Sequence, residues 1–71
     1  MPASDPITAI ATLLTQAFDF AVDPNGFAEL SRESKLKWIM RGMTDAIAKD
    51  NKPLADALFG HYRELYHETG P

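Results

Sequence analysis

The sequence contains no cysteine, which excludes a disulfide framework and any cysteine-ligated metal site. It also has no long hydrophobic run. The longest stretch without a charged residue, 6–18, carries three threonines and a glutamine, and it is shorter than the ~20 apolar residues of a membrane span. The first five residues lack the basic segment that precedes a secretory signal core. We therefore expect a cytoplasmic protein without a membrane span.

Catalytic motifs are missing as well. No hydroxyl residue stands in a G-x-S-x-G or S-x-x-K setting, and there is no glycine-rich phosphate loop. The only two imidazoles, His61 and His67, are six residues apart and fall on different faces of a helix. We expect no enzymatic activity, no cofactor and no metal.

The segment 23–29 looks briefly like the middle of a calcium-binding EF-hand loop. If Gly26 takes the invariant glycine position, the first and last ligand positions fall on Ala21 and Arg32. Both essential carboxylates are then absent, so a turn between helices is the better interpretation.

The chain is also short. With 71 residues, of which 45% are apolar and 24% charged, it is typical of one small globular domain spanning 1–71. We expect frayed tails at 1–4 and 69–71. A chain of this size has a small core, so packing against a partner or a second copy would add to its stability.

The sequence does contain residues that typically begin and end helices. Asp5 and Pro6 form a strong helix start, and Ser31 is a suitable N-cap for a second helix. The segment 23–26 predicts a turn, and 27–30 an irregular link whose Phe27 and Leu30 drop into the core. Three i,i+4 charge pairs, Glu33–Lys37, Arg41–Asp45 and Asp45–Lys49, support the second helix. The pattern predicts an all-α fold, a small antiparallel three-helix bundle with helices at about 6–21, 32–50 and 53–68.

Trp38, the only tryptophan, falls on the charged side of the second helix. A helical wheel gathers the apolar residues of this helix on another face: Leu36, Ile39, Met40, Met43, Ala46 and Ile47. Trp38 lies instead beside Arg41, Asp45 and Lys49, and Gly42 one turn on would flatten the surface. A large ring on a solvated face indicates that a third element or a partner covers it.

The first helix has more apolar surface than a small bundle needs. Its stripe covers roughly 200° of the wheel, against the ~100° of an ordinary surface helix, with Leu13 and Phe20 at its sides. This helix should therefore be contacted on two sides.

These features favour a protein-interaction module that binds another protein or itself as a homo-oligomer, such as an adaptor. Short acidic helical chains of this kind are frequent among phage and mobile-element accessory proteins. The hypothesised partner-binding residues are Trp38, Arg41, Gly42, Asp45, Lys49, Leu13 and Phe20. Alternatively, the first helix or the 27–30 link covers Trp38 within one chain.

The charge distribution raises a second alternative, nucleic-acid binding. Although the net charge is −3, six of the seven bases lie within 32–52, which carries about +3. A basic helix with Trp38 could contact phosphates and stack on a base. Phosphate repulsion opposes this, because the third helix has three acids, Asp56, Glu64 and Glu68, against one base, Arg63.

Overall fold

The computed structural model describes residues 6–67, and every regular element in that range is a helix. The helices are α1 (Pro6–Phe18), α2 (Pro24–Ala28), α3 (Arg32–Ala48) and α4 (Lys52–His67). The all-α prediction is confirmed, and the count of three helices is corrected to four. The expected tails, 1–4 and 69–71, and the expected cap residue Asp5 lie outside the described residues.

α1 ends at Phe18 rather than at residue 21, because Asp19 takes the left-handed conformation with a φ of 65°. An L-residue in that region cannot continue a right-handed helix. The Asp19 N–H still donates to the Thr15 carbonyl at 3.0 Å, and the Val22 N–H donates to the Thr15 hydroxyl at 2.9 Å. Thr15 thereby holds the turning chain against the end of α1.

α2 occupies the segment where the sequence predicts a turn and an irregular link. Asp23 caps it: its carboxylate accepts hydrogen bonds from the N–H groups of Asn25 and Gly26 at 3.3 and 3.2 Å. Pro24 stands at the first helical position, where its missing N–H is harmless. The prediction that Phe27 and Leu30 pack into the core is confirmed.

α3 and α4 form an antiparallel hairpin. Ser31 caps α3 as predicted, since its hydroxyl accepts the Ser34 N–H at 3.2 Å. At the other end Asp50 is left-handed, with a φ of 59°, and the Asn51 N–H donates to the Ala46 carbonyl at 2.8 Å. The Asn51 side chain then accepts a hydrogen bond from the Leu54 N–H at 3.3 Å. Asn51 therefore caps both the end of α3 and the start of α4.

The four helices share one core. Its buried members are Ile10, Ala11, Leu14, Ala17, Phe27, Ile39, Ala46, Leu54, Ala55 and Leu58. Two residues that the helical wheel assigns to the core face, Met40 and Ile47, are exposed. The buried side of α3 is displaced toward Gly42, because α1 packs directly against that glycine.

Candidate functional site

Three aromatic side chains cluster where α1 ends beside α3. The rings of Phe18 and Phe20 stack with their centroids 5.3 Å apart, and Phe18 meets the Trp38 indole edge-on at 5.6 Å. Trp38 remains 38% exposed. The end of α1 therefore covers one side of the indole and leaves another side open to solvent.

The left-handed residue Asp19 explains why Phe20 joins this cluster. In a longer α1, Phe20 would continue along the helix; instead the chain reverses and lays Phe20 on Phe18, where it is 56% exposed. Leu13 behaves differently, because it is half-buried against the core. Of the two extra apolar residues of the first helix, only Phe20 belongs to this site.

A groove of about 420 Å³ opens between these rings and the neighbouring turns of α3. Its lining residues are Phe18, Phe20, Lys37, Trp38, Arg41 and Asp45, and we call it the aromatic groove. A second hollow of about 220 Å³ lies toward α2 and is bounded by Phe27 and Leu30. Phe20 and Trp38 line both, so these two side chains form the ridge between them.

The charges of the groove are largely unneutralised. Within the part of the chain that the structure describes, neither Lys37 nor Arg41 has a carboxylate within 4.0 Å of its nitrogens, so the predicted pairs with Glu33 and Asp45 do not form. Unpaired bases at the edge of an aromatic surface are available for an acidic partner.

Lys49, predicted for the same surface, is used within the chain. Its ammonium group pairs with the Asp19 carboxylate and also donates to the Gln16 carbonyl at 3.4 Å. The predicted pair of Lys49 with Asp45 is therefore replaced by a contact between the ends of α3 and α1. Asp45 itself is half-buried in the groove wall.

Gly42 requires a correction. It does not flatten an outer surface, because it is buried where α1 and α4 meet α3. A Cβ added to Gly42 would lie 2.5 Å from Cδ2 of Leu14 and 3.2 Å from Cδ1 of Leu58. Its role is to let the neighbouring helices approach.

Two lining residues, Phe18 and Lys37, were absent from the predicted set. Lys37 is one helical turn from Arg41, and that i,i+4 spacing could have found it. Phe18 has the helical spacing of the apolar residues of α1, and no sequence signal shows that its ring lies at the end of α1 beside Trp38.

The groove offers binding contacts: three aromatic rings, two bases and one carboxylate. Residues 6–67 contain no group of three histidine, aspartate or glutamate side chains placed to hold a metal ion. None of the helices in this range has the length and apolar character needed to cross a bilayer.

Comparison of the chain with protein-family models, curated proteins and solved structures gives no match. The functional conclusion therefore depends on the geometry of the aromatic groove.

Proposed function

We propose that this chain is a small non-enzymatic interaction module, an adaptor or accessory protein of the cytoplasm, that binds a protein partner through the aromatic groove. In this proposal α1, α3 and α4 act as a three-helix bundle that holds the groove in shape. The observation that carries it is the part-exposed indole of Trp38, held by Phe18 and flanked by two unpaired bases. Tryptophan and arginine are the residues most enriched at interface hot spots.

The chemistry of the groove indicates what kind of segment it binds. Its aromatic walls would bury an apolar side chain, and Lys37 and Arg41 would pair with carboxylates beside that side chain. A volume of about 420 Å³ lies in the lower part of the usual range for ligand pockets, which is room for a few side chains. We therefore expect the partner to present a short acidic segment with an aliphatic or aromatic anchor.

A displayed library of random peptides, selected on the wild-type chain, tests this proposal. Enriched peptides should combine acidic residues with an apolar anchor. Because Trp38 is the only tryptophan, binding of a tryptophan-free synthetic copy of such a peptide should change the intrinsic fluorescence directly. Phe20→Ala and Arg41→Glu should each weaken binding by about tenfold or more, which corresponds to ~1.4 kcal/mol.

Two matched variants control for side-chain loss and for charge. Phe59→Ala removes a ring of similar exposure on α4, and Lys52→Glu makes the same charge reversal outside the groove. Both should bind the peptide as the wild type does. Failure of the selection, or equal losses in the groove and control variants, would contradict the proposal.

Nucleic-acid binding is the second candidate, and the same two free bases beside an exposed indole favour it. Three features oppose it: Asp45 lines the groove, Lys49 pairs with Asp19, and Arg32 donates to the carbonyls of Leu65 and Tyr66. Titration with single- and double-stranded DNA and RNA at low salt decides, since phosphate attraction is strongest there. We expect no binding; salt-sensitive binding lost in Trp38→Ala would favour this candidate instead.

A further inference from the structure

A second exposed apolar surface lies on the α3–α4 hairpin. Its large side chains are Met40, Ile47, Phe59 and Tyr66, which are 50%, 67%, 49% and 55% exposed. We call these four residues the hairpin face. They are four of the six large hydrophobic residues that are exposed in the described part of the chain.

The hairpin face points away from α1. On α3 and its cap, residues in contact with α1 include Trp38, Gly42 and Lys49. At 100° per residue, Met40 and Ile47 lie roughly 170° around the helix from these three. The aromatic groove and the hairpin face are therefore separate surfaces on opposite sides of α3.

The exposed stripes of α3 and α4 lie side by side. Ile47 borders the same hollow as Ala55 at the turn between the helices. Further along α4, Phe59 and Tyr66 are two turns apart, and the Tyr66 ring stacks on Tyr62 with a centroid distance of 6.2 Å. Met40, Phe59 and Tyr66 form the apolar middle and open end of this face, and Ile47 lies at its closed end beside Lys52 and Asp56.

The register of the hairpin follows from two contacts. Gly42 faces Leu58 in the middle, and Arg32 reaches the Tyr66 carbonyl at the open end at 2.7 Å. Antiparallel helices in this register place Met40 level with Phe59, and Glu33 level with Tyr66.

We propose that a second copy of this chain covers the hairpin face, forming a twofold dimer in which α3 of each copy packs on α4 of the other. A twofold axis parallel to the helices keeps each residue at its own level. Met40 of one copy then meets Phe59 of the other, a favourable sulfur–aromatic contact. Twofold dimers are the commonest closed assemblies of identical chains.

Charge complementarity supports a second copy as the occupant. Glu33 lies on the same stripe of α3 as Met40, two turns earlier. Arg63 lies over the Phe59 ring on α4, 5.9 Å from its centroid. The twofold arrangement brings Glu33 of one copy within a side-chain length of Arg63 of the other, and it does so twice.

The available area also fits a dimer. If a large side chain contributes roughly 200 Å², the exposed fractions of the four residues give on the order of 900 Å² from two copies. The half-buried neighbours on the same side, Leu36, Met43 and Tyr62, and the polar rim would bring the interface to the ~1,200 Å² of a small specific one.

Sedimentation equilibrium of the full chain at concentrations up to several hundred micromolar tests the dimer. We expect a monomer–dimer equilibrium, with Ile47→Lys and Met40→Glu each raising the dissociation constant about tenfold or more; a lysine is used at 47 because that position lies beside Lys52. Ala48→Lys, one residue from Ile47 and exposed on another side, is the matched control and should leave the dissociation constant unchanged. All three substituted positions are exposed, so each variant should keep the wild-type helical content.

The proposed contact between Glu33 and Arg63 tests whether the twofold axis runs parallel to the helices. Glu33→Arg alone should weaken the dimer, and combining it with Arg63→Glu should restore it. A wild type that is monomeric throughout, equal losses with Ala48→Lys, or no rescue by the paired reversal would overturn the proposal. A dimer dissociated by Phe20→Glu but not by Ile47→Lys would overturn it too, because association would then use the aromatic groove.

Discussion

At Gly42 there is no room for even one methyl group. In Gly42→Ala the new Cβ would press on Leu14, whose side chain is fully buried and can yield only by leaving its rotamer. Overpacking of this kind costs about 1–3 kcal/mol, and the better helix propensity of alanine returns about 1. We expect a net destabilisation of up to about 2 kcal/mol, measured by urea unfolding, with partial recovery when Leu14→Val is added.

Gly60 provides the matched control for this prediction. It is exposed within α4, and an added Cβ would have no neighbour within 4 Å. Gly60→Ala should therefore stabilise the chain by up to ~1 kcal/mol. Effects of the same sign at Gly42 and Gly60 would contradict this account of the interface.

Asp50 is a second single residue with a measurable strain. It holds a left-handed conformation at the end of α3, where glycine is the usual residue. Asp50→Gly should raise the free energy of unfolding by about 0.5–1 kcal/mol, whereas Asp50→Ala, with the same loss of charge, should lower it. Chemical denaturation should give free energies of unfolding that decrease in the order glycine, aspartate, alanine at position 50. A different order would argue against backbone strain at this site.

These residues also show where sequence reasoning succeeds and fails at the smallest scale. Ser31 was predicted as a cap because its signal is local. The left-handed residues Asp19 and Asp50 were missed, since aspartate at that position is far less diagnostic than glycine. Gly42 was placed on an outer surface, because a helical wheel cannot tell which missing side chain marks a close helix contact.

Among the helices, α2 depends most on a single residue. Five residues form too short a helix to be stable alone, so its capping by Asp23 and the burial of Phe27 must hold it. Asp23→Ala should destabilise the chain by about 1 kcal/mol. Asp23→Asn keeps the oxygen acceptor and should be nearly neutral. Thermal unfolding of both variants checks this, and equal losses of stability would show that the charge of Asp23, and not its capping, matters.

α2 was predicted as a turn plus an irregular link for a physical reason. Proline followed by asparagine and glycine favours turns, and the intrinsic helix propensity of this stretch is poor. Burial of Phe27 against the other helices stabilises α2 despite its low helix propensity, and the local sequence does not show that contact. The long helices were predicted within three residues at each end because their apolar periodicity extends over several turns.

The apolar stripe of α3 illustrates the same limit at the level of a whole face. Six residues appeared to form one core face, yet the structure buries Ile39 and Ala46 and exposes Met40 and Ile47. Periodicity reports that a helix has an apolar side; it does not report how much of that side the rest of the chain can cover. In a chain this short part of the stripe remains uncovered.

In the whole molecule, the end of α1 is fixed on α3 by contacts of unequal strength. The Lys49–Asp19 ion pair is substantially exposed, with side-chain exposures of 38% and 76%, so it should contribute less than ~1 kcal/mol. The edge-on contact of Phe18 with Trp38 combines apolar burial with a favourable ring geometry. The aromatic contact should therefore determine how firmly the groove is held.

Part of the candidate site could be predicted from the sequence. Trp38, Arg41, Asp45 and Phe20 line the groove together, and their role in binding a partner stays a prediction. Trp38 was placed correctly beside the charged residues of its own helix. Which part of another helix would cover it depends on the path of the chain after Asp19, and helical periodicity contains no information about that path.

A double-mutant cycle between Phe18 and Trp38 measures this coupling. Trp38→Ala should lower the free energy of unfolding by ~2 kcal/mol, less than the ~3–5 kcal/mol of a fully buried tryptophan, because 38% of the side chain is exposed. The coupling energy with Phe18→Ala should be about 1 kcal/mol. A parallel cycle of Lys49→Ala with Asp19→Ala should give less than half of that value. Coupling near zero for the aromatic pair would mean that the end of α1 is held by the backbone turn at Asp19 and not by the rings.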